Sequence, residues 1–206
     1  MAGRLLDPDE LVRRAAALCG SGRALLGIAG APGAGKSTLA AALVGALAGQ
    51  AVLVPMDGFH LADAELDRLG RRDRKGAPDT FDVAGYVHLL RRLREREDDV
   101  VWAPTFVRQQ EQAVAGALAV PRDVPLVVTE GNYLLADGGF APVRDLLDET
   151  WFLDVDPVQR RQRLVTRHVQ HGRSPAEAEH WVAASDDRNA ALVEATRDRA
   201  DLVVRL

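Results

Sequence analysis

Lys36 and Ser37 close the run Gly30-Ala31-Pro32-Gly33-Ala34-Gly35-Lys36-Ser37, a glycine-rich stretch that ends in a cation and a hydroxyl. It matches G-x-x-x-x-G-K-[ST], the P-loop pattern. Glycines let the backbone curl until successive N–H groups face one point, and the start of a helix adds partial positive charge there. A lysine at the end of such a loop reaches the β- and γ-phosphates of a nucleotide, and the adjacent hydroxyl can ligate Mg2+. The flanks supply the positioning elements. Leu25-Leu26-Gly27-Ile28-Ala29 reads as a buried strand, and the Ala- and Leu-rich segment from Ser37 to Ala48 as a helix. A glycine turn that merely joined a strand to a helix would not need lysine and serine in register, so the run implies binding of a nucleoside triphosphate.

Two carboxylates follow apolar runs. Asp57 comes directly after Ala51-Val52-Leu53-Val54-Pro55-Met56, and Glu130 ends Leu126-Val127-Val128-Thr129. Beside a γ-phosphate, Asp57 could accept a proton from an attacking hydroxyl or hold Mg2+ through water. The competing reading is a turn-forming Asp before Gly58. Glu130 is similar to the acidic residue that closes a Walker B strand and holds the metal, against a plain capping or surface role. Arg160, Arg163 and Arg167 recur at i, i+3 and i+7, with Arg173 just beyond. They form either a solvated basic face or a guanidinium clamp for phosphates on a helical lid. His60 on its own reads as structural, and Trp102, Trp151 and Trp181 as core or interface packing. Lys75, Asp79 and Asp82 read as a charged, solvent-facing loop.

Apolar strands alternating with helices predict an α/β fold, a mainly parallel sheet with helices on both faces and ligands at the C-terminal strand ends. Expected helices cover Pro8 to Leu18 (with Asp7 as N-cap), Val83 to Arg96, Val143 to Leu147, Pro157 to Gln170 and Pro175 to Thr196. Expected strands cover 51–56, 99–102, 126–130, 150–155 and 202–204. A polar irregular stretch spans Leu69 to Asp82, and 104–121 reads as a loop followed by a short β-ribbon. At 206 residues the chain suits a single domain, 1–206. The net charge of −4 gives no reason to expect nucleic acid as a partner. One cysteine, Cys19, rules out an internal disulfide and reads as a buried thiol in a helix; it suits a reducing cytoplasm. No apolar run approaches the ~20 residues of a membrane span, and the first residues lack a signal-peptide core.

Several ordered blocks resemble the P-loop kinase group that contains uridine kinase, type I pantothenate kinase and phosphoribulokinase. They are the loop at 30–37, Pro55-Met56-Asp57-Gly58-Phe59-His60, Lys75-Gly76-Ala77-Pro78-Asp79-Thr80-Phe81-Asp82, Thr129-Glu130-Gly131-Asn132-Tyr133-Leu134-Leu135 and the arginine-rich segment 160–173. The bacterial nucleoside/nucleotide kinase, or fructose kinase-like, subgroup is similar too. The resemblance implies a three-layer P-loop fold with a lid at about 160–176 and acceptor loops at about 57–82 and 102–121. It implies ATP and Mg2+ as cofactors, with transfer of the γ-phosphoryl to a hydroxyl of a small polar metabolite. Gly30, Gly33, Ala34, Gly35, Lys36, Ser37 and Thr38 would hold the nucleotide, with Arg163 and Arg167 on its phosphates. Asp57 would be the catalytic base, and Ser37 and Glu130 would serve the metal. Asp57, His60, Asp82 and Arg108 would face the acceptor. Dimers are common in such kinases, so a homodimer stays open. The rivals are an NTP-hydrolysing switch or assembly factor without a metabolite acceptor, and a nucleotide-binding protein without catalysis. The chain is shorter than pantothenate kinase and shows no uridine-gripping residues at 102–121, so the acceptor stays open among nucleoside, pantothenate-like compound and sugar.

Overall fold

The computed structural model describes residues 4–5, 7–20 and 22–205. Residues 1–3, which carry most of the leader reading, lie outside them. The described residues form a six-stranded parallel sheet in the order β1-β8-β7-β2-β6-β3, and a separate two-stranded antiparallel ribbon, β4-β5. The sheet strands are β1 (Arg4–Leu5), β2 (Ala24–Ala29), β3 (Ala51–Leu53), β6 (Leu126–Gly131), β7 (Glu149–Asp154) and β8 (Leu202–Arg205). The ribbon strands are β4 (Val100–Val107) and β5 (Gln112–Pro121).

Alternation along the central strands divides the core. Leu25, Val127 and Phe152 point to one face, where α4 (Val83–Glu95) and α5 (Ala141–Leu146) cover them. Leu26, Ile28, Val128 and Trp151 point to the other, under α1 (Pro8–Ala17) and α2 (Lys36–Ala46). Strands buried on both faces must be apolar at successive positions, as β2 and β6 are. One polar tie crosses this core: Tyr86 of α4 meets Thr129 at 2.6 Å, and Thr129 Oγ1 donates to the Val54 carbonyl at 2.7 Å. Burial, aided by the negative charge of Glu130, holds the tyrosine as the neutral phenol, its pKa well above the ordinary value against the opposing pull of the Thr129 bond. Arg23, almost wholly buried, donates to the carbonyls of Leu93, Val124 and Pro121 and so anchors the base of the ribbon.

The remaining helices are α3 (Asp63–Arg68), α6 (Pro157–Gln170), α7 (Pro175–Trp181) and α8 (Asp187–Glu194). Asp7 caps α1 as expected, and Asp156 caps α6 by accepting from the N–H groups of Val158 and Gln159. A π-helical turn, Val182–Asp186, joins α7 to α8, so the helical stretch expected from 175 to 196 is interrupted there. The ribbon is longer than expected, because Val100–Val107 and Gln112–Pro121 pair along almost their whole length across a bulge between Ala103 and Thr105. The stretch 69–82 contains short 3-10 turns, and α3 precedes it. Trp151 is fully buried, but Trp102 stands 60% exposed on the ribbon and is not part of the core. Cys19 is half-buried beyond the end of α1, its Sγ 3.8 Å from the Ala15 carbonyl. No described helix is long and apolar enough to cross a membrane.

Candidate active site

The loop between β2 and α2 sits at the C-terminal edge of the sheet, in its interior, where strand order places crevices. Gly33 holds φ at +81°, and a Cβ there would lie 2.8 Å from Leu164 Cγ of α6. Only glycine satisfies both the backbone angle and the approach of that helix. Gly35 precedes α2 with no side-chain cap, and the first turn carries no carboxylate. The helix start is therefore left to an external anion.

Lys36 is buried, its Nζ donating to Asn132 Oδ1 at 2.7 Å and to the Ala31 carbonyl at 3.1 Å. Burial pushes its pKa down, against the pull of Glu130 and Asp57. Ser37 Oγ donates to Glu130 Oε1 at 2.8 Å. Burial, with the negative charge of Asp57 second, pushes the Glu130 carboxyl up. A buried ammonium and a buried carboxylate that both resist ionisation fit a site completed by phosphates and a cation. Mg2+ takes one or two protein oxygens beside phosphates and waters, and Ser37 and Glu130 are the residues that could supply them here.

These groups open into one cavity of about 640 Å3, whose wall includes Lys36, Ser37, Thr38, Asp57, His60, Arg108, Glu130, Arg163 and Arg167. Gly33 and Gly35 line it also, whereas Gly30 and Ala34 support the loop from behind. Asp57 lies in the 3-10 turn Met56–Phe59, and Arg108 reaches it from the ribbon tip at 3.7 Å. The turn and ribbon pack backbone to backbone: a Cβ on Gly58 would lie 2.5 Å from the Pro104 carbonyl. His60 is wedged between Phe81 (4.1 Å between ring centroids) and Phe106 (4.9 Å), its Nδ1 2.8 Å from the Asp57 carbonyl. Burial holds its pKa below the ordinary histidine value, so the ring is neutral near pH 7.

The arginine face divides. Arg160 is buried and committed to structure, bonding Asp187 at 2.5 Å and facing the Pro32 carbonyl at 3.4 Å. Arg163 and Arg167 line the cavity, and Arg163 makes only a long contact, 3.4 Å, to the Ala34 carbonyl. Burial, then the charge of Arg108, pulls the Arg167 pKa down, which marks a place where cations converge. Arg173 stacks over Trp181 at 3.9 Å, and both reach the cavity.

Asp82 is a correction. Its N–H donates to the Phe59 carbonyl, and its carboxylate accepts from Gly85 N at 2.9 Å, so it starts α4 and does not line the cavity. Asn132, Asp63, Lys75 and Glu111 do line it. Lys75 Nζ bonds Asp63 at 2.6 Å and the Glu111 carbonyl at 2.5 Å. The sequence singles out none of the four individually as a site residue: Asn132 stands in the block 129–135, Asp63 and Lys75 in the expected acceptor loop 57–82, and Glu111 in that at 102–121.

The loop geometry, the strand order and the carboxylate behind Ser37 define a P-loop nucleotide-binding fold. Residues 25–191 match the AAA domain family. The chain is 38% identical over 145 residues to an ATP-dependent kinase-like protein, notR', of Aspergillus versicolor, covering 66% of this chain and 84% of that one. It is 32% identical over 210 residues to a candidate uridine kinase of Schizosaccharomyces pombe, covering 96% and 89%. The crystal structure of a candidate fructose transport system kinase from Silicibacter sp. TM1040 superposes with a TM-score of 0.88 at 36% identity, covering 96% and 98%. The chain belongs to this family of P-loop kinases.

Proposed function

We propose that the protein is an ATP- and Mg2+-dependent phosphotransferase that moves the γ-phosphoryl group to a hydroxyl of a small polar metabolite. The observation that carries this reading is the placement of Asp57. It faces the same cavity as Lys36 and Glu130, in the turn after β3, the strand next to β6, and among the described residues its ion-pair partner, Arg108, stands at 3.7 Å, beyond hydrogen-bond range. A carboxylate so placed can accept a hydroxyl proton while the hydroxyl oxygen forms its bond to the γ-phosphorus. The bond to the bridging oxygen breaks in the same step and ADP leaves. General-base assistance is typically worth about 10²–10⁴-fold, and the loose transition state gives comparable weight to positioning.

Lys36 and the N-terminus of α2 hold the phosphate chain, while Arg163 and Arg167 face it from the lid and offset charge on the equatorial oxygens. Ser37 and Glu130 would hold the metal, which when bound neutralises β- and γ-oxygen charge. The names of the relatives support a kinase and, together with the sequence resemblance to pantothenate kinases, leave nucleoside, pantothenate-like compound and sugar as acceptor classes. The test is ADP release from ATP and Mg2+ against such a panel, with product masses measured. Asp57→Asn is expected to lose about 10²–10⁴-fold in turnover while nucleotide binding persists. Turnover equal to the parent protein would remove Asp57 as the base, and hydrolysis indifferent to every acceptor would favour a hydrolytic switch.

A further inference from the structure

We propose that the cavity beside Asp57 is built for an uncharged polyhydroxyl acceptor, a sugar or polyol, with His60, Asp63 and Lys75 as the residues that set this preference. The proposal rests on the kinase reading and narrows it.

His60 carries the sharpest constraint. Its Nδ1 lies 2.8 Å from the Asp57 carbonyl. A carbonyl can only accept, so Nδ1 bears the proton and Nε2 of the neutral ring presents a lone pair. No described residue bonds Nε2, and no buried side-chain nitrogen or oxygen among the described residues is left without a partner, so Nε2 is open to the cavity that His60 lines. What it accepts must be a donor such as a hydroxyl.

The neighbouring wall alternates acceptors and donors. The Asp63 carboxylate takes bonds from Lys75 (2.6 Å) and Arg72 (2.8 Å), which fixes its orientation at the cavity wall. Lys75 is fixed in turn by the Glu111 carbonyl at 2.5 Å. Hydroxyl groups both donate and accept, so they suit such an alternation, whereas a carboxylate ligand meets acceptors it cannot satisfy.

The aromatic rings on the wall already have occupants. Phe106 carries His60 at 4.9 Å and the Lys75 ammonium at 5.3 Å, and Trp181 carries the Arg173 guanidinium at 3.9 Å. Stacking a nucleobase would displace a cation from a ring face that holds it. Charge points the same way. Among the described residues on the wall, cationic side chains outnumber carboxylates seven to five, an excess that one magnesium-bound triphosphate offsets.

The experiment is coupled ADP release with sugars, polyols, nucleosides and hydroxy acids, each with Asp57→Asn as control and with product mass determined. For the sugar or polyol that turns over, His60→Phe is expected to raise its KM about tenfold, the loss of one hydrogen bond. The kcat is expected to stay within about threefold on the same basis, because the bond is made in ground and transition states alike. His60→Gln, which retains an acceptor atom, should recover most of that loss, and Lys75→Met should raise the same KM. Asp57-dependent turnover of a nucleoside or hydroxy acid, with none of any sugar or polyol, overturns this inference and leaves the kinase reading standing. A panel in which nothing is phosphorylated overturns both. A His60→Phe effect confined to kcat or to the KM for ATP removes His60 from acceptor recognition.

Discussion

Replacing Gly33 by alanine tests whether the phosphate loop and helix α6 are one mechanical unit. The added Cβ would stand 2.8 Å from Leu164 Cγ and 3.1 Å from the Arg160 carbonyl, with φ held at +81°. A left-handed angle costs a residue bearing a Cβ about 1–2 kcal/mol, and overpacking adds about 1–3 kcal/mol. For a chain of this size 1 kcal/mol moves Tm by about 2–4 °C, so a combined loss of about 2–5 kcal/mol lowers Tm by roughly 4–20 °C. Leu164 is fully buried, so the contact is relieved only by displacing α6 or reshaping the loop. Either movement shifts Arg163 and Arg167 relative to Lys36. Thermal unfolding with and without ATP and Mg2+ therefore reads two losses: a lower Tm of the free protein, and a smaller rise on adding nucleotide. Gly45→Ala is the control. Gly45 is helical with open space around it, so alanine there should stabilise by about 0.5–1 kcal/mol. A Gly33→Ala protein within about 2 °C of the parent, with nucleotide stabilisation intact, would refute the claim that α6 rests on this glycine.

Glu130→Gln should raise the Tm of the nucleotide-free protein near pH 7, because burial and Asp57 oppose the charged carboxylate while an amide oxygen can still accept from Ser37; the same variant should lose Mg2+-dependent nucleotide binding. A lowered Tm would contradict this. Acidification offers a check with a worked sign: His60 has a depressed folded pKa, so the unfolded chain binds the proton first, and stability falls as pH drops below about 6.5. Denaturant titrations at pH 7 and 5.5 should show that fall, reduced in His60→Gln; Glu130, whose folded pKa is raised, opposes it from about 4.5 upward to its own raised value. Along α6, Arg160→Ala should cost about 1.5–3 kcal/mol of stability through the Asp187 bond, whereas Arg167→Ala should leave Tm nearly unchanged and lower kcat; equal Tm losses would erase the distinction between the two.

The donor half of the site was legible because its chemistry is local. Eight consecutive residues set the loop, and an apolar strand delivers Glu130 behind Ser37. The acceptor half was legible only in part: Asp57, His60 and Arg108 were expected there and line the cavity, but the rest of its wall is assembled from long-range contacts. Lys75 reaches the site through Asp63 and the Glu111 carbonyl, partners 12 and 36 residues away. Asp82 matched a motif, yet its carboxylate is taken by the N-terminus of α4, a competition that spacing alone does not resolve. Arg160 and Arg163 share a helical face and separate only once α8 brings Asp187 against the first of them. The ribbon was underestimated because Ala- and Gly-containing strands carry weak β-propensity, and pairing with Val100–Val107 supplies what the residues of β5 do not.

The ribbon stands outside the six-stranded sheet and meets the Asp57 turn at the close approach of Gly58 to Pro104. Its tip, residues 108–111, can lengthen, shorten or change composition without disturbing a single pairing of the main sheet. Arg108 and Glu111 would then move while Lys36, Ser37 and Glu130 stay fixed. On the phosphotransferase reading, editing that four-residue turn would reshape the acceptor side of the cavity and leave the phosphate-holding residues as they are.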